Sequence, residues 1–323
     1  MRIDCQSHLF PRAYAEALTS NPGYPRAART GAAYRIDYWS FQSFHLDPEI
    51  YAINRVLEHM DAERIDLSVV SVNMPGPEAL EPELGIRAAR ICNEYLAEVV
   101  MQHPDRFRGL ACLPWQDPPS ALLELDRAVH ELGLVGVMFY ARAGDIEVDD
   151  PVLDPVYARV EELGIPVVLH PTVPPWGATM SDHSMITMVG LMVEQSTAAL
   201  RLILGGVLER FARLKVVQPH CGGVLPYLWG RVENQTEVMG RGREHISRPV
   251  GEYYDRVYLD TVSPSLPALR LAWEFAGADR LLFGSDHPWV DIGVFTELLE
   301  ALDIPQDAKE KIWSGNAREL FGI

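Results

Sequence analysis

Period-two alternation opens the chain. In Arg2-Ile3-Asp4-Cys5-Gln6-Ser7-His8 the apolar Ile3 and Cys5 share one face of an extended strand, and Asp4, Gln6 and His8 share the other. Gln6 and His8 therefore sit side by side at the strand's C-terminal end. Apolar or β-branched runs predict further strands at 67–72, 107–113, 136–139, 165–170, 214–220, 257–260 and 281–286. Helical spacing fills the intervals: 83–103, 118–132, 186–211, a helix opened by 221–223, and two amphipathic stretches near 293–301 and 306–315. Within 150–163, Val152, Leu153, Val156, Val160 and Leu163 lie close to one helix face, and Gly164 ends the element. Asp47 and Pro48 have the character of an N-cap and first helical residue, predicting a helix through about 63.

Eight strands, each followed by a helix, predict a (β/α)8 TIM barrel occupying 1–323 as a single domain. Two stretches interrupt the pattern, one after strand 1 (11–48) and one after strand 5 (171–185). The first is rich in Tyr, Pro, Gly and Arg and carries no sustained period. An ordered insertion of over thirty residues is uncommon unless functional, so the first is read as a lid or wall of the site, and substrate identity is expected to depend on both. There is no internal repeat and no low-complexity tract.

Composition narrows the function. With 48% apolar residues the 323-residue chain can bury a large core. A formal charge of −17, from 45 acidic against 28 basic residues, argues against a nucleic-acid surface, which needs clustered cations, and disfavours bare membrane adhesion. Cys5, Cys92, Cys112 and Cys221 show no CxxC spacing, which indicates neither a zinc module nor a disulfide framework, and points to a reducing compartment. No apolar run reaches membrane-spanning length, and Arg2 and Asp4 leave no room for a signal-peptide core. The expected location is cytoplasmic.

In a parallel barrel all strand C-termini share one face, where such enzymes carry their chemistry. Gln6, His8, His170, His220, Asp260 and Asp286 all map there. Imidazoles with a carboxylate at one rim suit a divalent transition metal. Asp4 and Asp260 are either orienting carboxylates behind the ligands or helix caps. His45, His59, His103, His130 and His245 read as structural or surface side chains.

The ordered set QSH at His8, VVLHP at His170, QPHCGG at His220, GSDHP at Asp286 and the terminal GNARELFG resembles the amidohydrolase superfamily. More narrowly, it resembles the branch of aminocarboxymuconate semialdehyde, hydroxybenzoate and resorcylate decarboxylases. The likeness runs the whole chain, and GGVLERFARLKVVQPHCGG is especially similar to the family's own pattern there. The resemblance implies a metal, zinc or manganese, held by Gln6, His8, His170 and Asp286. It implies proton handling by His220 with Asp286, and substrate-carboxylate binding by Arg35 and Arg231, the latter reaching a neighbouring subunit's site in a homodimer. Arg35 and Arg231 can equally be loop or interface ion-pair residues. Trp176, Trp229 or Trp289 could stack on a planar substrate or pack in the core. Gln6 departs from the family, which carries His or Glu there; a glutamine carbonyl is a neutral, weaker ligand.

The expected reaction is non-oxidative decarboxylation of an aromatic or muconate-like small-molecule acid. The alternatives are metal-activated water attacking a lactone, amide or C–C bond, and a metal-free binding protein on the same fold.

Overall fold

A computed structural model describes residues 1–323. Eight parallel strands form one sheet in sequence order: β1 (Ile3–Leu9), β2 (Leu67–Val72), β3 (Phe107–Cys112), β4 (Gly136–Tyr140), β5 (Pro166–His170), β6 (Lys215–Gln218), β7 (Val257–Asp260) and β8 (Leu281–Leu282). The sheet closes on itself. Cys5 N–H donates to the Phe283 carbonyl at 2.8 Å, His8 N–H to the His287 carbonyl at 2.7 Å, and Asp286 N–H to the Gln6 carbonyl at 2.8 Å. This is the (β/α)8 barrel.

Every position of β1, β2, β4 and β5 is buried, as a parallel sheet covered on both faces requires. The main outer helices are Ile53–Ala62, Pro82–Gln102, Pro118–His130, Asp154–Leu163, Leu191–Leu204, Leu225–Glu233, Leu266–Ala276 and Ile292–Ala301. Several begin with proline just inside the start, and Asp117 accepts from Ser120 N–H as a side-chain cap. Apolar side chains of strands and helices merge into one contiguous core.

Two helical stretches differ in detail from the sequence pattern. Asp47 does cap, accepting from Glu49 N–H, but the turn it starts is a 3₁₀ segment, Pro48–Tyr51. The chain turns extended at Ala52 before the helix begins at Ile53. Tyr51 explains the interruption: its ring is buried 6.0 Å from that of Phe10 and its hydroxyl accepts from Asn73. The helical stretch at 186–211 opens with a π turn, Ile186–Gly190, and breaks at Gly205 and Gly206, the latter left-handed at φ 77°.

The first insertion is not irregular. It contains a helix, Arg12–Leu18, and a three-stranded antiparallel sheet, Arg26–Thr30, Ala33–Tyr38 and Gln42–Leu46. Tyr34, Ile36 and Tyr38 are buried while Arg35 is exposed. By length and composition the run 182–204 could cross a membrane, yet it packs on the barrel with Leu191, Ala198, Leu202 and Ile203 buried.

Glu78, in the segment after β2, is buried, and its Oε1 has no partner. Burial pushes its carboxyl up to about 8 from an ordinary value of 4.5. Between those values the native state keeps a proton that the unfolded chain has released, so this group's contribution to stability falls as pH rises through the window. Replacing Glu78 with Gln should therefore flatten the decline. In urea unfolding at about pH 5 and about pH 9, the wild type should lose ~2–4 kcal/mol more than the variant between the two conditions. Equal losses would remove Glu78 as the source.

Candidate active site

The barrel seam assembles the site. Gln6 and His8 end β1, and Asp286 follows β8 on a loop tied to β1 through the Gln6 carbonyl. His8 Nε2 lies 3.0 Å from Asp286 Oδ1, and Gln6 Nε2 donates to the same oxygen at 3.3 Å. On its other side, His8 Nδ1 is 2.9 Å from the hydroxyl of Ser71, its register partner on β2. Asp286 sits in the left-handed region at φ 56°, a conformation a β-carbon disfavours. Asp4 braces this loop from behind: its buried carboxylate accepts from Ser285 N–H at 3.1 Å, Ser285 hydroxyl at 2.6 Å and Gln6 N–H at 3.1 Å.

His170 enters from the end of β5. Its Nδ1–H donates to the Pro171 carbonyl at 2.8 Å, which leaves the Nε2 lone pair free. Burial, then the nearby His8, lowers its pKa to about 3, so the ring is neutral, as a metal ligand must be. Ligand atoms of His8, His170 and Asp286 all lie within 4.8 Å of one another. Gln6 Oε1 adds a buried acceptor with no partner. Two imidazoles, a carboxylate and an unsatisfied carbonyl oxygen are a fitting donor set for one divalent ion.

His220 follows β6 on a second left-handed turn, φ 56° at His220 and 52° at Cys221. Asp260, at the end of β7, holds this turn by accepting from Cys221 N–H at 3.1 Å and Val262 N–H at 2.9 Å. Gln195, buried on the helix Leu191–Leu204, sets the ring. Its Nε2 donates to the Pro219 carbonyl at 3.3 Å, so its Oε1 faces His220 Nδ1 at 3.0 Å. An amide oxygen only accepts, so Nδ1 carries the proton and Nε2 points toward Asp286 Oδ2, 3.7 Å away. Burial opposes charging this ring, but the Asp286 carboxylate outweighs it and raises the His220 pKa. The same contacts with His220 and His8, working against burial, hold the Asp286 carboxyl well below the usual carboxylate range.

His170, His220 and Asp286 open into a cavity of about 580 Å³, which Trp289 also lines. The Trp289 ring stands edge-on to Phe44 at 6.4 Å. The other residues proposed for substrate lie elsewhere. Arg35 points outward and pairs with Asp37 at 2.7 Å. Arg231 is exposed on the helix Leu225–Glu233. Trp176 donates its indole N–H to Glu194 at 3.0 Å and fastens the second insertion to the neighbouring helix, outside the cavity lining. Trp229 packs against Tyr254 and Phe275. Gln195 and Ser71 were not singled out by sequence. Only Ser71 carried a signal, as a hydroxyl in the next-to-last position of a strand whose other residues, Ser68 apart, are apolar.

A closed parallel barrel on whose strand ends imidazoles and a carboxylate converge has the make-up of a barrel enzyme with a candidate metal site. The chain belongs to the amidohydrolase family, whose sequence model matches residues 3–323. Gamma-resorcylate decarboxylase of Rhizobium radiobacter is 33% identical over 302 residues, covering 89% of this chain and 91% of that protein. The crystal structure of 5-carboxyvanillate decarboxylase from Sphingomonas paucimobilis superposes with a TM-score of 0.89 at 26% identity, over 100% of this chain and 99% of the other. A dihydroxybenzoic acid decarboxylase from Polaromonas sp., with bound manganese and the inhibitor 2-nitroresorcinol, gives 0.84 at 28% identity, over 99% and 96% of the two chains.

Two outcomes follow from this geometry. After manganese reconstitution and desalting, elemental analysis should find about one equivalent of metal in the wild type and less than about a tenth in His8→Ala; equal content would exclude His8 as a ligand. In ¹⁵N-histidine NMR, His220 should show a protonated Nδ1 that Gln195→Leu converts to a tautomer mixture. An unchanged signal would deny Gln195 its orienting role.

Proposed function

We propose that this protein is a metal-dependent non-oxidative decarboxylase of an aromatic or muconate-like carboxylic acid. The observation that carries the reading is His220: a single imidazole locked by Gln195, with Nε2 directed at Asp286 on the rim of a largely apolar cavity. Support comes from the similarity to decarboxylases over nearly the whole chain.

His8, His170 and Asp286, with Gln6 through Oε1, would hold one divalent ion. Bound there, the ion supplies Lewis acidity and a template for the substrate's oxygens. The mixed oxygen and imidazole donors suit manganese and also admit zinc. The apolar walls receive the planar part of the acid, with Trp289 available against its face. His220 Nε2 delivers a proton to the carbon that bears the carboxylate. The C–C bond then breaks, its electron pair returns to the ring or alkene, and carbon dioxide departs. Asp286, held ionised, stabilises the imidazolium before the transfer. Water-excluding walls keep the proton from bulk exchange.

A homodimer is part of this proposal. Arg231 and the 82% exposed Tyr227 share an outward-facing helix, which would let the guanidinium serve the carboxylate in a neighbouring site. The four buried free thiols support a reducing, cytoplasmic setting.

The test is His220→Ala. Carbon dioxide release from a panel of hydroxybenzoates should fall ~10²–10⁴-fold, the typical worth of a positioned proton donor, with metal content unchanged. Turnover at the wild-type rate would reject His220 as that donor.

A further inference from the structure

The second insertion, 171–185, runs between two stretches of the cavity wall. Pro171 and Val173 line the cavity at its start, and Thr187 and Met188 line it just past its end. The first residues are buried and fastened twice to the first insertion. Trp39 donates its indole N–H to the Val173 carbonyl at 3.0 Å, and Thr172 donates its hydroxyl to that of Tyr38 at 3.4 Å. Beyond Val173 the attachment thins out. Along 174–181 the hydrogen bonds stay inside the insertion, such as Gly177 N–H to the Pro174 carbonyl, Thr179 hydroxyl to the Trp176 carbonyl and Ser181 hydroxyl to the Ala178 carbonyl. One leaves it: Trp176 Nε1–H to Glu194 Oε2, 3.0 Å. At the far end His183 and Ser184 are exposed and left-handed, φ 55° and 57°, a conformation side chains disfavour, so the backbone there does not resist movement.

Glu194 is an under-partnered acceptor. It is buried on the helix Leu191–Leu204, between Met192 of the cavity wall and Gln195, which orients His220. The cation beside it, Arg142 on the hairpin after β4, is 3.9 Å away and already paired with Glu147. Arg201, on the same helix, is taken by Glu147 and Asp149. The Trp176 N–H is therefore the one hydrogen bond this carboxylate receives. Burial pushes the carboxyl up to about 7, as expected of a group short of donors. Such a bond is readily reversible. Made, it holds the insertion down and supplies a buried carboxylate with its donor; broken by outward movement of Trp176, it admits water, and hydration returns much of what the bond gave.

We propose that 174–185 is a lid over the cavity mouth, anchored at Val173 and hinged at His183 and Ser184, and that the Trp176–Glu194 hydrogen bond is its latch. The inference concerns access to the cavity and stands whichever reaction takes place there.

The test compares full-length wild type with Trp176→Phe, Glu194→Met and Glu194→Gln. Phenylalanine keeps a ring and deletes the donor, methionine keeps the length and deletes the acceptor, and glutamine keeps an oxygen acceptor. By hydrogen–deuterium exchange, peptides from 174–185 should exchange at least ~10-fold faster in Trp176→Phe and Glu194→Met, the worth of a lost hydrogen bond to a charged group, and within ~3-fold of wild type in Glu194→Gln. The helix Leu191–Leu204 and the barrel strands should not change. Cys221, a buried free thiol in the cavity lining, reports access. Its labelling by N-ethylmaleimide should quicken at least ~10-fold in Trp176→Phe. Wild-type exchange in Trp176→Phe removes the latch, as does Glu194→Gln exchanging as fast as Glu194→Met. Faster exchange that spreads through Leu191–Leu204 replaces lid opening by local unfolding and overturns the proposal. Equal Cys221 labelling in wild type and Trp176→Phe denies that the segment covers the cavity.

Discussion

The seam between β1 and β8 is the constraint on which the site depends. β8 is short, and the residues after it are held mainly by β1: Phe283, His287 and Asp286 each share a backbone hydrogen bond with Cys5, His8 or Gln6. Asp4 reinforces the seam from within, its carboxylate taking three hydrogen bonds, two of them from Ser285. Intramolecular bonds of this kind are individually worth ~0.5–1.5 kcal/mol, and removing the acceptor would strand buried donors. The two ends of the chain thereby deliver Gln6, His8 and Asp286 to one point.

Strain accompanies that delivery. Asp286 and His220 both occupy left-handed backbone, where most side chains cost ~1–3 kcal/mol, and both are over-determined by neighbours. Asp286 is held through Gln6 and Trp289, His220 through Gln195 and the Asp260-braced turn. The outcome is a carboxylate kept ionised and an imidazole kept in one tautomer, facing each other across 3.7 Å. Preorganisation of this kind, settled by the fold before any ligand arrives, is what lets two side chains act in concert.

The barrel and the gathering of these side chains at one rim were legible because both follow from local period. Alternation placed Gln6 and His8 on one face, and β-branched runs ending in His170 and His220 repeated the arrangement. The three-stranded sheet in the first insertion was harder to read. Tyr34, Ile36 and Tyr38 do alternate with Arg35 and Asp37, but the run is only six residues long and follows a stretch broken by Pro22, Gly23, Pro25 and Gly31. Gln195 could not be read at all, because a glutamine on a long helix has no special spacing and acquires meaning only when the helix packs beside His220. Trp176 failed for a related reason. Its neighbourhood suggested a substrate wall, but its indole N–H found Glu194, one turn of helix away from the cavity-lining Leu191.

Gln6 ties electrostatics to specificity. Among the four donors assigned to the metal, Asp286 alone is anionic; His170 is neutral by burial, and an amide carries no charge. A divalent ion held there would retain one net positive charge from these donors, where an acidic residue at position 6 would cancel it. The carboxylate of an acid seated at the base of the cavity would meet that residual charge. The neutral amide on β1 thus leaves the cage one charge more positive than an acidic residue there would, which favours an anionic ligand.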